Sequence, residues 1–259
     1  MGRVVVVSGG GTGIGQAVAA RFARDAAEIV IVGRRADVLD RAVSGIEGQG
    51  AGSVHTITAD LADAEQALRV RDEVVERHGK VDVVVANAGG NVTRKQAPTE
   101  FGVARVELER LLKVREHWQG NFESNVLTSV LLVEALADVL ADSGRVVLLS
   151  SIAAYRGSGN GSYGAAKAAL HPYAFDLSSA LGSRGVTVNV VAPGYIEETE
   201  FFGDTMTPEW HERNVKQAHN GRAGTPVDIA ETVHWLASPG ASHVTAQIVQ
   251  VNGGALPGR

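Results

Sequence analysis

The stretch Val4-Val-Val-Val-Ser-Gly-Gly-Gly-Thr-Gly-Ile-Gly15 decides the fold that we expect for this chain of 259 residues. The β-branched run predicts a short buried strand, and the glycines after it allow close approach to a phosphate group. The helix that follows would present free N–H groups and the positive end of its dipole to that group. The spacing, Gly9-xxx-Gly13-x-Gly15, fits neither GxGxxG nor a Walker loop, which would need lysine at Gln16.

Apolar runs and helical patterns alternate along the rest of the chain. The predicted strands are Val4–Val7, Glu28–Val32, Val54–Thr58, Val81–Ala86, Arg145–Leu149, Val186–Val191 and Gln247–Val251. The predicted helices are Ile14–Asp25, Asp37–Glu47, Asp63–His78, Phe122–Ala141, Tyr163–Leu181 and Pro226–Leu236. This alternation predicts an α/β fold: a Rossmann-type, doubly wound, seven-stranded parallel sheet with helices on both faces. Ligands of such sheets bind beyond the carboxyl ends of the strands.

Composition favours one domain over residues 1–259, because 44% of the residues are hydrophobic and no linker or repeat divides the chain. Two segments, 91–119 and 194–220, interrupt the alternation and are predicted to be lids. The net charge of −5 without a basic stripe argues against a nucleic-acid partner. We expect neither a membrane span nor a metal site, since long apolar runs, cysteines and clustered histidines are missing from the sequence. A cytoplasmic location is expected.

Tyr163 and Lys167 lie four residues apart, so on a helix they would share one face. A free tyrosine titrates near pH ~10, and a neighbouring cation lowers the pKa of a phenol. The pair would therefore suit general acid–base chemistry near neutral pH. The same spacing also fits an ordinary exposed pair, so by itself it does not indicate function.

In chain order, Gly9-xxx-Gly13-x-Gly15, Asn87-Ala88-Gly89 and Tyr163-xxx-Lys167 resemble the motifs of the short-chain dehydrogenase/reductase family. The resemblance extends over essentially the whole chain and includes Asp60-Leu61, Asn125-Val126, Ser150-Ser151, Asn189, Pro193-Gly194 and Val251-Asn252-Gly253-Gly254. It implies hydride transfer between a nicotinamide and a carbonyl or alcohol carbon.

The resemblance also implies four catalytic residues. Tyr163 would give a proton to the substrate oxygen, and Lys167 would lower the pKa of that tyrosine and bind the nicotinamide ribose. Asn125 would hold a water that links Lys167 to solvent, with Asn121 as its rival. A serine would bond the substrate oxygen: we expect Ser151, although the usual spacing to the tyrosine in relatives points to Ser150.

For the cofactor, the resemblance implies NADP(H), with NAD(H) left open. Gly33 stands where NAD-selective relatives carry a carboxylate, and Arg34 and Arg35 could receive a 2′-phosphate. Arg34 could instead stack on adenine or face solvent, and Thr12 replaces a basic residue of some NADP-preferring relatives. The expected cofactor contacts are Gly9, Gly11, Thr12, Gly13, Ile14, Gly15, Arg34, Arg35, Asp60, Leu61, Asn87, Ala88, Gly89, Tyr163, Lys167, Pro193, Gly194, Ile196 and Thr199.

The substrate is expected to be a small-molecule carbonyl compound, free or bound to a carrier protein, because the chain is similar to 3-oxoacyl-carrier-protein reductases and polyketide ketoreductases. Ser151, Tyr163, Tyr195, Phe201 and Phe202 would contact it. Oxidation of an alcohol, steroid or sugar is the alternative. A non-catalytic NADP(H) sensor is a third reading, although such proteins usually lose the tyrosine or the lysine. The resemblance further implies a homotetramer.

Overall fold

The computed structural model describes residues 2–50, 52–92, 107–157, 159, 161–201, 203 and 206–257. Within these ranges one parallel sheet of seven strands has the order β3-β2-β1-β4-β5-β6-β7. The strands are β1 Val4–Ser8, β2 Glu28–Gly33, β3 Ser53–Thr58, β4 Val81–Ala86, β5 Leu140–Leu149, β6 Thr187–Pro193 and β7 Ile248–Val251. The predicted α/β fold and its seven strands are confirmed.

The helices alternate with these strands and cover both faces of the sheet. They are α1 Gly13–Ala23, α2 Ala36–Glu47, α3 Ala64–His78, α4 Leu108–Phe122, α5 Thr128–Leu136, α6 Ala153–Arg156, α7 Ser162–Leu181, α8 Pro208–Val215 and α9 Pro226–Leu236. Among the helices of the described ranges, none is long and apolar enough to cross a membrane.

Two apolar layers hold the sheet between its helices. Side chains of a strand alternate between faces, so Val5 and Val7 pack with α1, α2 and α9, whereas Val6 packs with α3, α5 and α7. Because both faces are covered, the strands are apolar almost throughout, which is why their sequence shows long valine runs instead of alternation.

The predicted helix Phe122–Ala141 was wrong at its end. The chain passes from α4 through a π-helical turn, Glu123–Leu127, into α5 and leaves the helix after Leu136. Leu140 pairs with Val81 of β4, and the register then shifts before Val83 pairs with Arg145. Leu140 is buried in the apolar layer, so sheet pairing and burial together override helical continuation.

The two segments predicted to be lids are held to the rest of the fold in different ways. The described part of segment 91–119 is mostly α4, which packs against α7 through the buried His117 and Asn121. This part belongs to a helical layer, and residues 93–106 lie outside the described residues. Segment 194–220 contains α8 and is tied to the fold where Ile196 bridges to Gly224.

The strand order reverses between β1 and β4, so their carboxyl ends flank the crevice in which doubly wound sheets bind ligands.

The close packing of the loop after β1 can be tested at Gly15. A β-carbon there would lie 2.1 Å from the Gly9 carbonyl oxygen and 2.6 Å from Asn87 Nδ2. We expect Gly15→Ala to lower the free energy of unfolding by about 2 kcal/mol or more, because the backbone has to move.

Gly45 provides the matched control, since it lies in α2 and its nearest neighbour would be Gln16 Nε2 at 3.5 Å. Gly45→Ala should raise the free energy of unfolding by about 0.5–1 kcal/mol through helix propensity. Urea unfolding of both variants measures the contrast, and equal effects of the two substitutions would contradict it.

Candidate active site

The loop between β1 and α1 is shaped to receive an anion. Gly9 and Gly13 adopt left-handed backbone angles, with φ of 65° and 51°. Thr12 precedes α1, and its side chain does not cap the helix. The first-turn N–H groups are therefore left for a ligand, and the missing β-carbon at Gly15 lets the helix start against the Gly9 carbonyl.

Ser8 ties this loop to the end of β4. Its buried hydroxyl accepts hydrogen bonds from the backbone N–H groups of Asn87 at 3.0 Å and Ala88 at 2.9 Å. The Asn87 amide donates in return to the carbonyls of Ser8 at 3.0 Å and Gly9 at 3.3 Å. Our sequence analysis missed Ser8; the signal was a polar residue at the end of an otherwise apolar strand.

Two arginines lie where β2 ends. Arg34 and Arg35 are both exposed, and Arg35 Nη2 forms an ion pair with Glu200 Oε2 at 2.8 Å. A β-carbon at Gly33 would lie 3.3 Å from Leu39 Cδ2, so this position packs against α2. The positive charge is thus in the place predicted from sequence, but a carboxylate from the segment after β6 has joined it.

The predicted contacts after β3 have structural roles. Asp60 Oδ1 accepts a hydrogen bond from the Ala62 N–H at 3.0 Å, and the Asp60 N–H donates to Gln66 Oε1 at 2.8 Å. Leu61 is buried in the apolar layer beside α3. Its side chain is therefore part of the core, which leaves only its backbone for a ligand.

Helix α7 places Tyr163 in its first turn and Lys167 one turn later on the same face. Both side chains are buried, Tyr163 at 7% and Lys167 at 4% exposure. Gly164 allows this burial because a β-carbon there would lie 2.6 Å from the Ala153 carbonyl oxygen of α6. The exposed-pair alternative is thereby excluded.

The Lys167 ammonium lies among backbone and amide groups. Its Nζ donates to the Leu149 carbonyl at 2.8 Å, and burial lowers the pKa of Lys167 to about 8. A β-carbon built on Gly89 would lie 3.1 Å from Lys167 Nζ and 2.5 Å from Asn125 Oδ1. Only glycine at position 89 lets these three residues converge.

Asn125 occupies the π-helical turn and holds the chain after β4. Its Nδ2 donates to the Gly90 carbonyl at 2.8 Å, while its Oδ1 accepts from the Gly90 N–H at 3.0 Å. The rival Asn121 is instead turned toward α7, where its Nδ2 donates to Ser162 Oγ at 3.0 Å. The structure therefore brings Asn125, and not Asn121, to Gly89 and Lys167.

The two serines after β5 differ in what their hydroxyls can still do. Ser150 Oγ donates to the Lys167 carbonyl at 3.0 Å and lies 2.8 Å from His171 Nε2. One hydroxyl proton cannot serve a further acceptor, so Ser150 is committed to α7. Ser151 Oγ accepts from the Ala153 N–H at 3.1 Å and keeps its own proton to donate.

The segment after β6 lies against the chain after β5, the end of β7 and the phosphate loop. The Pro193 carbonyl accepts from the Ile152 N–H at 2.8 Å, and the Gly194 N–H donates to the Val251 carbonyl at 2.9 Å. Ile196 is buried in the core. Thr199 lies against the phosphate loop, where its Cγ2 would be 3.3 Å from a β-carbon on Gly13.

The predicted substrate residues lie in different surroundings. The Phe201 ring packs against the Tyr163 ring, with centroids 5.4 Å apart. Tyr195 Oη lies 2.8 Å from His211 Nδ1, and its ring meets the Trp210 ring edge-on. Phe202 lies outside the described residues.

The described residues include no cluster of three or more side chains that could hold a metal ion. What they do bring together is an anion-binding loop, two arginines at the end of β2, a buried ammonium, a phenol and a free hydroxyl donor. This arrangement fits a dinucleotide laid across the carboxyl ends of the strands, with proton transfer at its far end.

The buried ammonium has a consequence for stability. We expect Lys167→Met to raise the free energy of unfolding at pH 7 by roughly 1–3 kcal/mol, because the folded state no longer desolvates a charge. This gain should shrink as the pH rises from about 8 to 10.5, the ordinary lysine value. In that window the folded protein has lost a proton that the unfolded chain still holds, so the stability of the parent protein rises.

Urea unfolding at several pH values measures this difference. Lys113→Met is the control, since Lys113 is an exposed lysine of α4 paired with Glu109. A Lys167→Met difference that does not change with pH would contradict the expectation.

Comparison with known proteins places these features in a family. Residues 9–255 match a family model described as enoyl-(acyl carrier protein) reductase. The 7alpha-hydroxysteroid dehydrogenase of Escherichia coli (strain K12) is 30% identical over 258 residues, which cover 98% of this chain and 94% of that protein. The 3-oxoacyl-(acyl-carrier-protein) reductase FabG of Chlamydia pneumoniae is 30% identical over 260 residues, covering 98% and 97%.

Solved structures of related proteins have the same fold as this chain. A short-chain type dehydrogenase/reductase from Mycobacterium ulcerans has a TM-score of 0.85 at 30% identity, over 98% of this chain and 89% of that one. A blue fluorescent protein from a metagenomic library, in complex with NADPH, has a TM-score of 0.82 at 30% identity, over 99% and 98%. The present chain therefore belongs to the short-chain dehydrogenase/reductase family of oxidoreductases, which act on alcohol and ketone groups. Its matches in sequence, its seven-stranded sheet and the motifs at one edge of that sheet all show this membership.

Proposed function

We propose that this protein uses NADPH to reduce a ketone to a secondary alcohol, with Tyr163 as the general acid. The observation that carries the proposal is the buried Lys167 ammonium one helical turn from Tyr163 on α7. Burial of a cation costs free energy through desolvation, and a catalytic use is one reason for a fold to keep such a residue. Its position beside a phenol gives it a use, because it favours the phenolate that remains after proton donation.

Each residue then has a defined task. A nicotinamide bound in the cleft would supply the hydride. Tyr163 donates its phenolic proton to the substrate oxygen, and Ser151 donates a hydrogen bond to the same oxygen as negative charge develops. Lys167 stabilises the resulting phenolate and binds ribose hydroxyls. Asn125 fixes Gly90 and would hold a water that links Lys167 to solvent. Lys167 can then pass a proton to the Tyr163 phenolate and take one back from that water.

NADP(H) is the proposed cofactor. Arg34 and Arg35 offer two guanidiniums at the end of β2, and Gly33 supplies no carboxylate to bind ribose hydroxyls. A related structure contains NADPH, which supports this choice. The phosphate loop and the N-terminus of α1 would hold the pyrophosphate.

The proposed substrate is a 3-oxoacyl or polyketide-like ketone, free or bound to a carrier protein. Phe201 beside Tyr163 provides an apolar contact for its body. Of the basic residues that could dock an acidic carrier, Lys113 and Arg115 are exposed on α4, and Lys113 is already paired with Glu109 at 2.6 Å. Arg94, Lys95 and Arg105 lie outside the described residues.

Oxidation of an alcohol, such as a steroid, is the second candidate. The hydroxysteroid dehydrogenase and the oxoacyl reductase are each 30% identical to this chain, so similarity does not separate the two directions. Initial rates with NADPH and a ketone panel, against NADP⁺ and the matching alcohols, would decide between them. Absence of turnover in both directions would favour a sensor that only binds the cofactor.

Two expectations from the sequence, a homotetramer and a cytoplasmic location, remain predictions. Light scattering coupled to size-exclusion chromatography would test the first, and fractionation of the source cells the second.

Removal of the Tyr163 hydroxyl tests the proposed mechanism. Tyr163→Phe should lower kcat for ketone reduction by about 10²–10⁴-fold, the usual range for loss of a general acid. NADPH binding, followed by its fluorescence, should change little, because the ring and Lys167 remain.

Tyr173→Phe is the matched control, since Tyr173 lies on the same helix and donates its hydroxyl to Glu134 at 2.9 Å. It should retain kcat. Equal losses in the two variants would point to a general disturbance of α7 and would contradict the assignment of Tyr163.

Arg34 tests the choice of cofactor. Arg34→Asp should shift the ratio of kcat/KM from NADPH toward NADH, because the new carboxylate repels a 2′-phosphate and can accept ribose hydroxyls. Steady-state kinetics with both cofactors measures the ratio. An unchanged ratio of kcat/KM for the two cofactors would contradict the assignment of Arg34.

A further inference from the structure

Three consecutive residues after β6 reach three different parts of the cofactor cleft. We call Thr199, Glu200 and Phe201 the strap. Thr199 lies against Gly13 of the phosphate loop, and the Phe201 ring packs on Tyr163 at the catalytic end. Glu200 reaches the opposite end of the cleft and forms the ion pair with Arg35. The strap therefore spans the cleft from the 2′-phosphate end to the proton donor.

The backbone directs Glu200 to this position. Glu198 has a φ of 57°, a left-handed conformation that is uncommon for residues other than glycine. It turns the chain two residues before Glu200. The preceding Ile196 is buried and bridged to Gly224, so the turn starts from a fixed point.

A ligand can displace Glu200 from its ion pair with Arg35 at little cost in free energy. Arg35 and Glu200 are 58% and 61% exposed, and exposed ion pairs contribute little free energy. A phosphate monoester carries between one and two negative charges at neutral pH and binds arginine more strongly than a single carboxylate does. A 2′-phosphate could therefore replace Glu200 on Arg35, but it would remain within reach of the displaced carboxylate.

Glu200 also brings to the end of β2 the carboxylate that Gly33 does not provide. A carboxylate at the end of β2 is the group that binds the 2′- and 3′-hydroxyls of a ribose without a phosphate. Here the carboxylate comes from the strap and not from β2. Its charge works against the phosphorylated cofactor and in favour of the unphosphorylated one.

We propose that Glu200 is a specificity-determining residue, which acts through Arg35 to weaken the discrimination between NADP(H) and NAD(H). This inference rests on the proposed use of a nicotinamide cofactor. Arg34 and Arg35 attract the 2′-phosphate, and Glu200 reduces that attraction. The protein should consequently use both cofactors with a modest preference, and the preference should sharpen when the carboxylate is removed.

Nucleotide fragments test this without turnover. Adenosine 2′,5′-bisphosphate and 5′-AMP differ only in the 2′-phosphate, and calorimetric titration gives the Kd of each. Glu200→Gln should tighten binding of the bisphosphate by about three- to fivefold, the range that an exposed charge pair provides. Binding of 5′-AMP should stay the same or weaken. The ratio of kcat/KM for NADPH to NADH should rise by a similar factor.

Two further variants separate the proposed mechanism from a general charge effect. Glu198→Gln removes the same charge two residues away and should not change the ratio of the two Kd values. In an Arg35→Gln background, Glu200→Gln should lose most of its selective effect, because the ion pair that holds the exposed carboxylate at the end of β2 is then absent. Raising the salt concentration should reduce the effect in the parent background, since exposed charges are screened.

The inference is overturned if Glu200→Gln tightens binding of both nucleotides equally, or if its selective effect is undiminished without Arg35. If the unmutated protein binds neither the two fragments nor NADPH, the proposed cofactor is overturned, and this inference with it. Thermal unfolding of each variant shows whether it is folded, which is expected because Glu200 is exposed.

Discussion

The site depends on the hydrogen bonds with which Ser8 joins the ends of β1 and β4. One buried hydroxyl accepts two backbone N–H groups, from Asn87 and Ala88, and the Asn87 amide returns two bonds to the carbonyls of Ser8 and Gly9. The two strands are neighbours in the sheet although 78 to 80 positions separate the bonded residues. This clamp fixes the phosphate loop relative to the chain that leads to Gly89, so both ends of the cleft share one rigid support.

A second constraint is the burial of Lys167. Its ammonium is almost fully buried and meets the Leu149 carbonyl, and desolvation lowers its pKa to about 8. Gly89 and Asn125 close around it. The desolvated cation lies one helical turn from Tyr163 on α7, and a buried charge of this kind is more common where function and stability conflict.

Some choices that the sequence left open are decided by hydrogen bonds across the fold. Ser150 and Ser151 are equivalent in a pattern, but the first is committed to the Lys167 carbonyl and the second keeps a donor. Asn121 and Asn125 lie four residues apart, and the π-helical turn between α4 and α5 brings only Asn125 to Gly90. Helical periodicity does not predict such a turn, since it depends on what the side chains meet on neighbouring elements.

The sequence by itself determined the alternation of strands and helices, the phosphate loop and the Tyr163–Lys167 spacing, because these follow from local periodicity and short motifs. The parallel sheet and the family follow from them. Only the tertiary structure decided that Ser8 holds the loop, that Lys167 is buried and that Glu200 pairs with Arg35. The last contact joins residues 165 positions apart. No local pattern encodes it, since it exists only because the fold brings the strap to the carboxyl end of β2.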